Sequence, residues 1–76
     1  MTRVVNNLIY DTRKAHMILS DAFNKWLYKT ESGKYFSVEG CRFTALTERQ
    51  ARAWVGANFD VEEYIRLFPD QILHEA

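Results

Sequence analysis

The sequence predicts an α+β fold: an N-terminal β-hairpin, a helix, a three-stranded antiparallel meander, and two C-terminal helices packed on one sheet face. Three observations predict it. β-prone runs separated by turn residues fill the middle of the chain. Apolar residues recur at helical spacing on either side of them. Two Thr- or Asp-led caps open the last third. At 76 residues the chain is read as a single domain, 1–76.

Asn6-Asn7 separates Val4-Val5 from Leu8-Ile9. Asn tolerates positive φ, so this dipeptide suits a two-residue hairpin turn that sets Val5 opposite Leu8 and Val4 opposite Ile9. Asp11 or Thr12 then caps an expected helix, with Ala15, Ile18, Leu19, Ala22 and Phe23 as its apolar stripe.

The meander follows. Lys25–Thr30 runs into Glu31-Ser32-Gly33, which fits a type I turn closed by glycine in the left-handed region. Lys34–Glu39 runs back, and Gly40-Cys41 turns the chain into Arg42–Leu46. The two turns fix a register that places Tyr28 opposite Phe36, Trp26 opposite Val38, and both Lys25 and Arg42 beside Glu39. One face then holds Trp26, Tyr28, Phe36, Val38, Phe43 and Ala45. The other holds Lys25, Leu27, Lys29, Tyr35, Ser37, Glu39, Arg42, Thr44 and Leu46. The aromatic face is expected under the helices, and the Lys/Tyr face toward solvent.

Thr47-Glu48-Arg49-Gln50 reads as a capping box, and Ala51, Trp54 and Val55 give the stripe of a helix stopping near Asn58. Asp60-Val61-Glu62-Glu63 reads as a second cap. Val61, Tyr64, Ile65 and Phe68 follow at helical spacing, and Pro69 ends the helix. The tail from Asp70 to Ala76 reads as a loose turn.

Ten basic and ten acidic residues balance, whereas a protein dedicated to duplex DNA is normally basic. The lone Cys41 allows no internal disulfide, and no run is apolar enough for a signal peptide or membrane span, so the chain is expected in the cytoplasm. His16 and His74 lie far apart, and with Cys41 they do not match the clustered spacing of a zinc site. A Cys41–His16 nucleophile pair shows no third orienting group. No catalytic residue, metal ligand or cofactor is expected.

Charge is unevenly placed: residues 1–52 hold nine basic and five acidic residues, and residues 53–76 one basic and five acidic. Two candidate surfaces emerge. Lys25, Lys29, Tyr35 and Arg42 share the polar sheet face, which reads as a solvated face, a protein-binding surface or a site for single-stranded nucleic acid. Asp60, Glu62 and Glu63 cluster at a helix start, where they favour the macrodipole and also resemble phosphates in charge. The eleven aromatics exceed what a small core easily hides, with Tyr10, Tyr35 and Phe59 the hardest to place.

Tyr10-Asp11-Thr12 with Ala15, Leu27-Tyr28-Lys29-Thr30 with Ser32-Gly33 and Tyr35-Phe36, and Leu46-Thr47-Glu48 with Ala51 and Trp54 resemble the pattern of a family of small bacterial proteins borne by phages, prophages and plasmids. The resemblance spans about residues 8–68. It departs where longer members carry a Gly-rich insertion between the second and third strands; here Gly40-Cys41 closes the turn tightly. The resemblance carries over no catalytic residue. It implies a small non-enzymatic binding protein of a mobile element, such as an anti-CRISPR or other host-defence inhibitor acting by steric block or phosphate mimicry. Alternatives are a single-stranded nucleic-acid-binding accessory and a self-associating domain with Tyr35 and Tyr10 buried in a homodimer.

Overall fold

The computed structural model describes residues 1–76. Its elements are β1 (Thr2–Val5), β2 (Leu8–Asp11), β3 (His16–Ser20), β4 (Lys25–Lys29), β5 (Tyr35–Glu39), β6 (Arg42–Leu46), α1 (Glu48–Asn58) and α2 (Val61–Leu67). The fold is α+β. β1 and β2 form a two-stranded sheet, and β3-β4-β5-β6 form a four-stranded antiparallel meander.

The turns behave as their residues dictate. Asn6 and Asn7 both take positive φ (51° and 65°), as a type I′ turn needs, and Val5↔Leu8 and Val4↔Ile9 pair. Gly33 and Gly40 lie at φ 89° and 59°, and the pairs Tyr28↔Phe36, Trp26↔Val38, Lys25↔Glu39 and Glu39↔Arg42 all form. Thr47 and Gln50 make the reciprocal capping box, with bonds of 3.1 and 2.9 Å. Asp60 sits at the N-cap of α2 but makes no side-chain capping bond, so the second cap expected there is absent.

The helix expected over 12–23 does not form; these residues supply a fourth strand. Asp11 turns the chain first, its carboxylate accepting from the Arg13 N–H (2.9 Å) and its carbonyl from those of Lys14 and Ala15. At the other end one Asp21 oxygen accepts from the N–H groups of Phe23, Asn24 and Lys25, at 2.9, 3.1 and 3.0 Å. Side-chain-to-backbone bonds of this kind compete directly with helix. The residues between them pair with β4, and the register shifts between Met17 and Leu19. That β-bulge sets both Ile18 and Leu19 into one core. Consecutive apolar residues on one side resemble a helical stripe, which is why the spacing misleads. Phe23, expected in the core, is 86% exposed.

The sheet faces are also covered in the opposite sense. Helices α1 and α2 pack on the face expected toward solvent, around Leu19, Leu27, Tyr35, Ala51, Val55 and Phe68. The aromatic face packs under the β1–β2 hairpin instead, with Tyr10, Phe36 and Val38 buried and Trp26, Tyr28, Phe43 and Ala45 partly so. Only Thr47 separates Leu46 from α1, so the chain turns onto the side that Leu46 already faces. Leu19, Leu27 and Leu46 give helices a close seat. The stacked Tyr28–Phe36 rings (4.9 Å, 8°) are capped by Tyr10 edge-on at 5.5 Å from Phe36.

Two backbone sites call for opposite substitutions with the same expected gain. Ala22 is held at φ 61°, a region costing a non-glycine residue about 1–2 kcal/mol. Ala22→Gly should therefore raise stability by about 1 kcal/mol in urea denaturation. Gly56, inside α1, has its nearest neighbour for an added methyl at 3.8 Å, an ordinary contact. Gly56→Ala should likewise stabilise, by roughly 0.5–1 kcal/mol. Leu27→Ala, at a fully buried position, should cost about 2–5 kcal/mol.

Candidate binding surfaces

Lys25, Lys29, Tyr35 and Arg42 do not make one basic, aromatic face. Tyr35 is 6% exposed and belongs to the helix-side core, so it offers no ring for stacking. Lys29 covers it, with Nζ 5.2 Å from the ring centroid. Lys25 Nζ lies 3.9 Å from Asp21 Oδ2. Arg42 is exposed on β6, two strand spacings or about 10 Å from β4. Glu39 forms no ion pair with Lys25 or Arg42; it accepts the Trp54 indole N–H at 2.8 Å and so joins β5 to α1. Tyr10 is also buried within the chain, which removes the homodimer built on exposed Tyr10 and Tyr35.

The acidic group divides. Glu63 is half-buried and pairs with Arg66 at 2.6 Å. Asp60 and Glu62 are exposed and take part in no ion pair. Beside Asp60 lies an open groove of ≈390 Å³ between the two helices, lined by Ala53, Gly56, Phe59, Val61, Tyr64 and Leu73, with Arg52 at its margin. The sequence stripe counted Val61 and Ile65 as core. In the fold Tyr64 and Phe68 turn inward, while Val61 and Ile65 are more than half exposed. Leu73 and Ile72 in the tail are also exposed. Reading α2 as a face shared between core and surface would have required knowing which side α1 occupies.

Arg52 fastens the tail beside this groove. Its guanidinium reaches Asp70 at 3.2 Å, Glu48 at 3.4 Å and Gln71 at 3.2 Å, and lies 4.5 Å from the Phe68 ring centroid. The hydrogen bond from Arg52 holds the Asp70 carboxyl below the usual range, and the same contact raises Arg52.

Elsewhere the chemistry is dispersed. His16 pairs with Lys29 at one end of β4, whereas Cys41 lies beyond the Lys25↔Glu39 pair at the other. A nucleophile–base contact between them is therefore excluded by topology. His16 is an exposed strand residue rather than a helical one, and His74 lies in the tail. A second cleft of ≈580 Å³, between β2 and the β4–β5 turn, is lined mainly by polar groups including Asp11, Arg13, Lys14 and Glu31. No helix is long and apolar enough to cross a membrane. Comparison with family models, curated proteins and solved structures returned no match.

Three carboxylates set an acid limit. Asp21 is held low chiefly by the Lys25 N–H, Asp11 by the Arg13 N–H and guanidinium, and Asp70 by Arg52. With native values depressed, the unfolded chain binds more protons on acidification. Their stabilisation is complete above the unfolded value of roughly pH 4 and is lost as pH falls through the lower native values. Urea midpoints should fall from about pH 5 toward about pH 2, and Asp21→Ala should flatten that slope.

Proposed function

We propose that this chain is a non-catalytic protein-binding module that docks through its helix pair onto a protein with a basic, nucleic-acid-binding groove. One observation carries the reading: the apolar α1–α2 groove is walled by exposed Val61 and by the unpaired carboxylate Asp60, and α2 also exposes Ile65 and the unpaired Glu62. An apolar centre with a charged rim is the anatomy of protein interfaces. Residues 53–76 carry five acidic groups against one basic, so the surface complements a partner evolved to hold phosphates. The resemblance to phage- and plasmid-borne proteins supports a host-defence protein as that partner, blocked in the host cytoplasm as an anti-CRISPR blocks its effector.

A single-stranded nucleic-acid reading through Lys25, Lys29 and Arg42 has less support. It needs an exposed ring on that face, and Tyr35 is buried.

Tagged protein is used to capture partners from bacterial lysate with and without nuclease. The expected outcome is a stoichiometric protein that survives nuclease. Asp60→Lys/Glu62→Lys and Val61→Ser/Ile65→Ser, each folded by circular dichroism, should weaken that complex at least about tenfold. Capture that disappears with nuclease, or that ignores both double variants, would sink the proposal.

A further inference from the structure

The four-stranded sheet leaves two edges, β3 and β6. Free edges are normally blunted by charge, proline or a bulge. β6 starts with Arg42. β3 reads His16-Met17-Ile18-Leu19-Ser20 and carries no lysine, arginine, carboxylate or proline. Its one blunting feature is the bulge between Met17 and Leu19. Met17 is 54% exposed, and Phe23, just past the strand, is the most exposed large apolar side chain of the chain. An open cleft of ≈620 Å³ follows the strand, walled on its other side by Phe59, Glu63 and Arg66.

The ends of this edge carry opposite charge. Lys14 precedes β3, is exposed and takes part in no ion pair. Asp21 follows it; one oxygen is used by three backbone N–H groups, and the other has only Lys25 at 3.9 Å.

We propose that the β3 edge pairs with the β3 edge of a second copy of this chain, antiparallel and about a twofold axis, so that the two four-stranded sheets become one. Antiparallel approach of the two edges brings Lys14, just before one β3, toward Asp21, just after the other, and symmetry makes that contact twice. A foreign strand would have to bring these complements; a second copy already has them. The groove proposed for partner binding shares only Phe59 with this cleft, so the two proposals fail separately.

Sedimentation equilibrium over about 1 μM to about 1 mM should show a mass rising from 9.0 kDa to twice that. Lys14→Glu and Met17→Lys, both at exposed positions, should each raise the dissociation constant about tenfold, and added salt should weaken the dimer. Thr44→Lys, exposed on β6, should leave the mass unchanged. Amide exchange should show β3 protection that grows with concentration. A monomer at every concentration overturns the proposal, as does a dimer lost with Thr44→Lys but untouched by the β3 variants. A monomer whose β3 amides are protected only when another protein is added gives the edge to a foreign strand and overturns the second copy.

Discussion

Burial of β5 on both faces is the constraint on which the rest depends. Tyr35, Phe36, Ser37 and Val38 are all buried, in a strand of five residues. Tyr35 points into the helix-side core with Leu27, and Phe36 into the hairpin side with Tyr10 and Val38. A strand buried on both faces cannot be satisfied by one covering layer. The chain therefore needs the helices on one side and the β1–β2 hairpin on the other. Burial of each large apolar side chain contributes about 1.5–3 kcal/mol, which a domain of this size cannot spare.

The helix side is fixed by polar contacts around an apolar centre. The Trp54–Glu39 hydrogen bond joins α1 to the end of β5, and Arg52 joins α1 to Asp70 after the Pro69 stop. Of these residues only Arg52 reaches the groove, at its margin. They hold α1, α2 and the start of the tail in place while leaving Val61, Ile65 and Leu73 uncovered. Positional order in the scaffold with apolar exposure at its surface is what a preformed docking face requires, because little side-chain entropy remains to be lost on binding.

At the β3 edge of the sheet the same logic runs through two aspartates. Asp11 and Asp21 each fold the chain by accepting backbone N–H groups, and between them they define β3. The cost is visible at Ala22, held in the left-handed region so that the Asp21 loop can close. The result is a fourth strand whose outer edge has a bulge and no charge. An edge that neutral is either a liability or an interface.

Much of the local structure was legible in the residues. Asn6-Asn7, Gly33 and Gly40 dictate their turns because few residues tolerate positive φ, and those turns fix every pairing of β4, β5 and β6. Thr47, Gln50 and Pro69 bound the helices by local hydrogen bonding and sterics. The segment 12–23 was not legible, because the bulge at Ile18 gives a strand the apolar spacing of a helix. Nor could alternation say which sheet face the helices would take: it separates the two faces without ranking them. Tertiary structure decided that point, through the short Leu46–Thr47 link into α1 and the better seat that Leu19, Leu27 and Leu46 offer a helix. With that choice Tyr35 left the candidate surface, and Val61, Ile65 and Leu73 joined it. The amino-acid sequence by itself determined the turns at Asn6-Asn7, Gly33 and Gly40, the α1 cap and the β4–β6 register, since each rests on contacts within a few residues or across one turn. The exposed surface was decided only when distant elements competed to cover the same sheet.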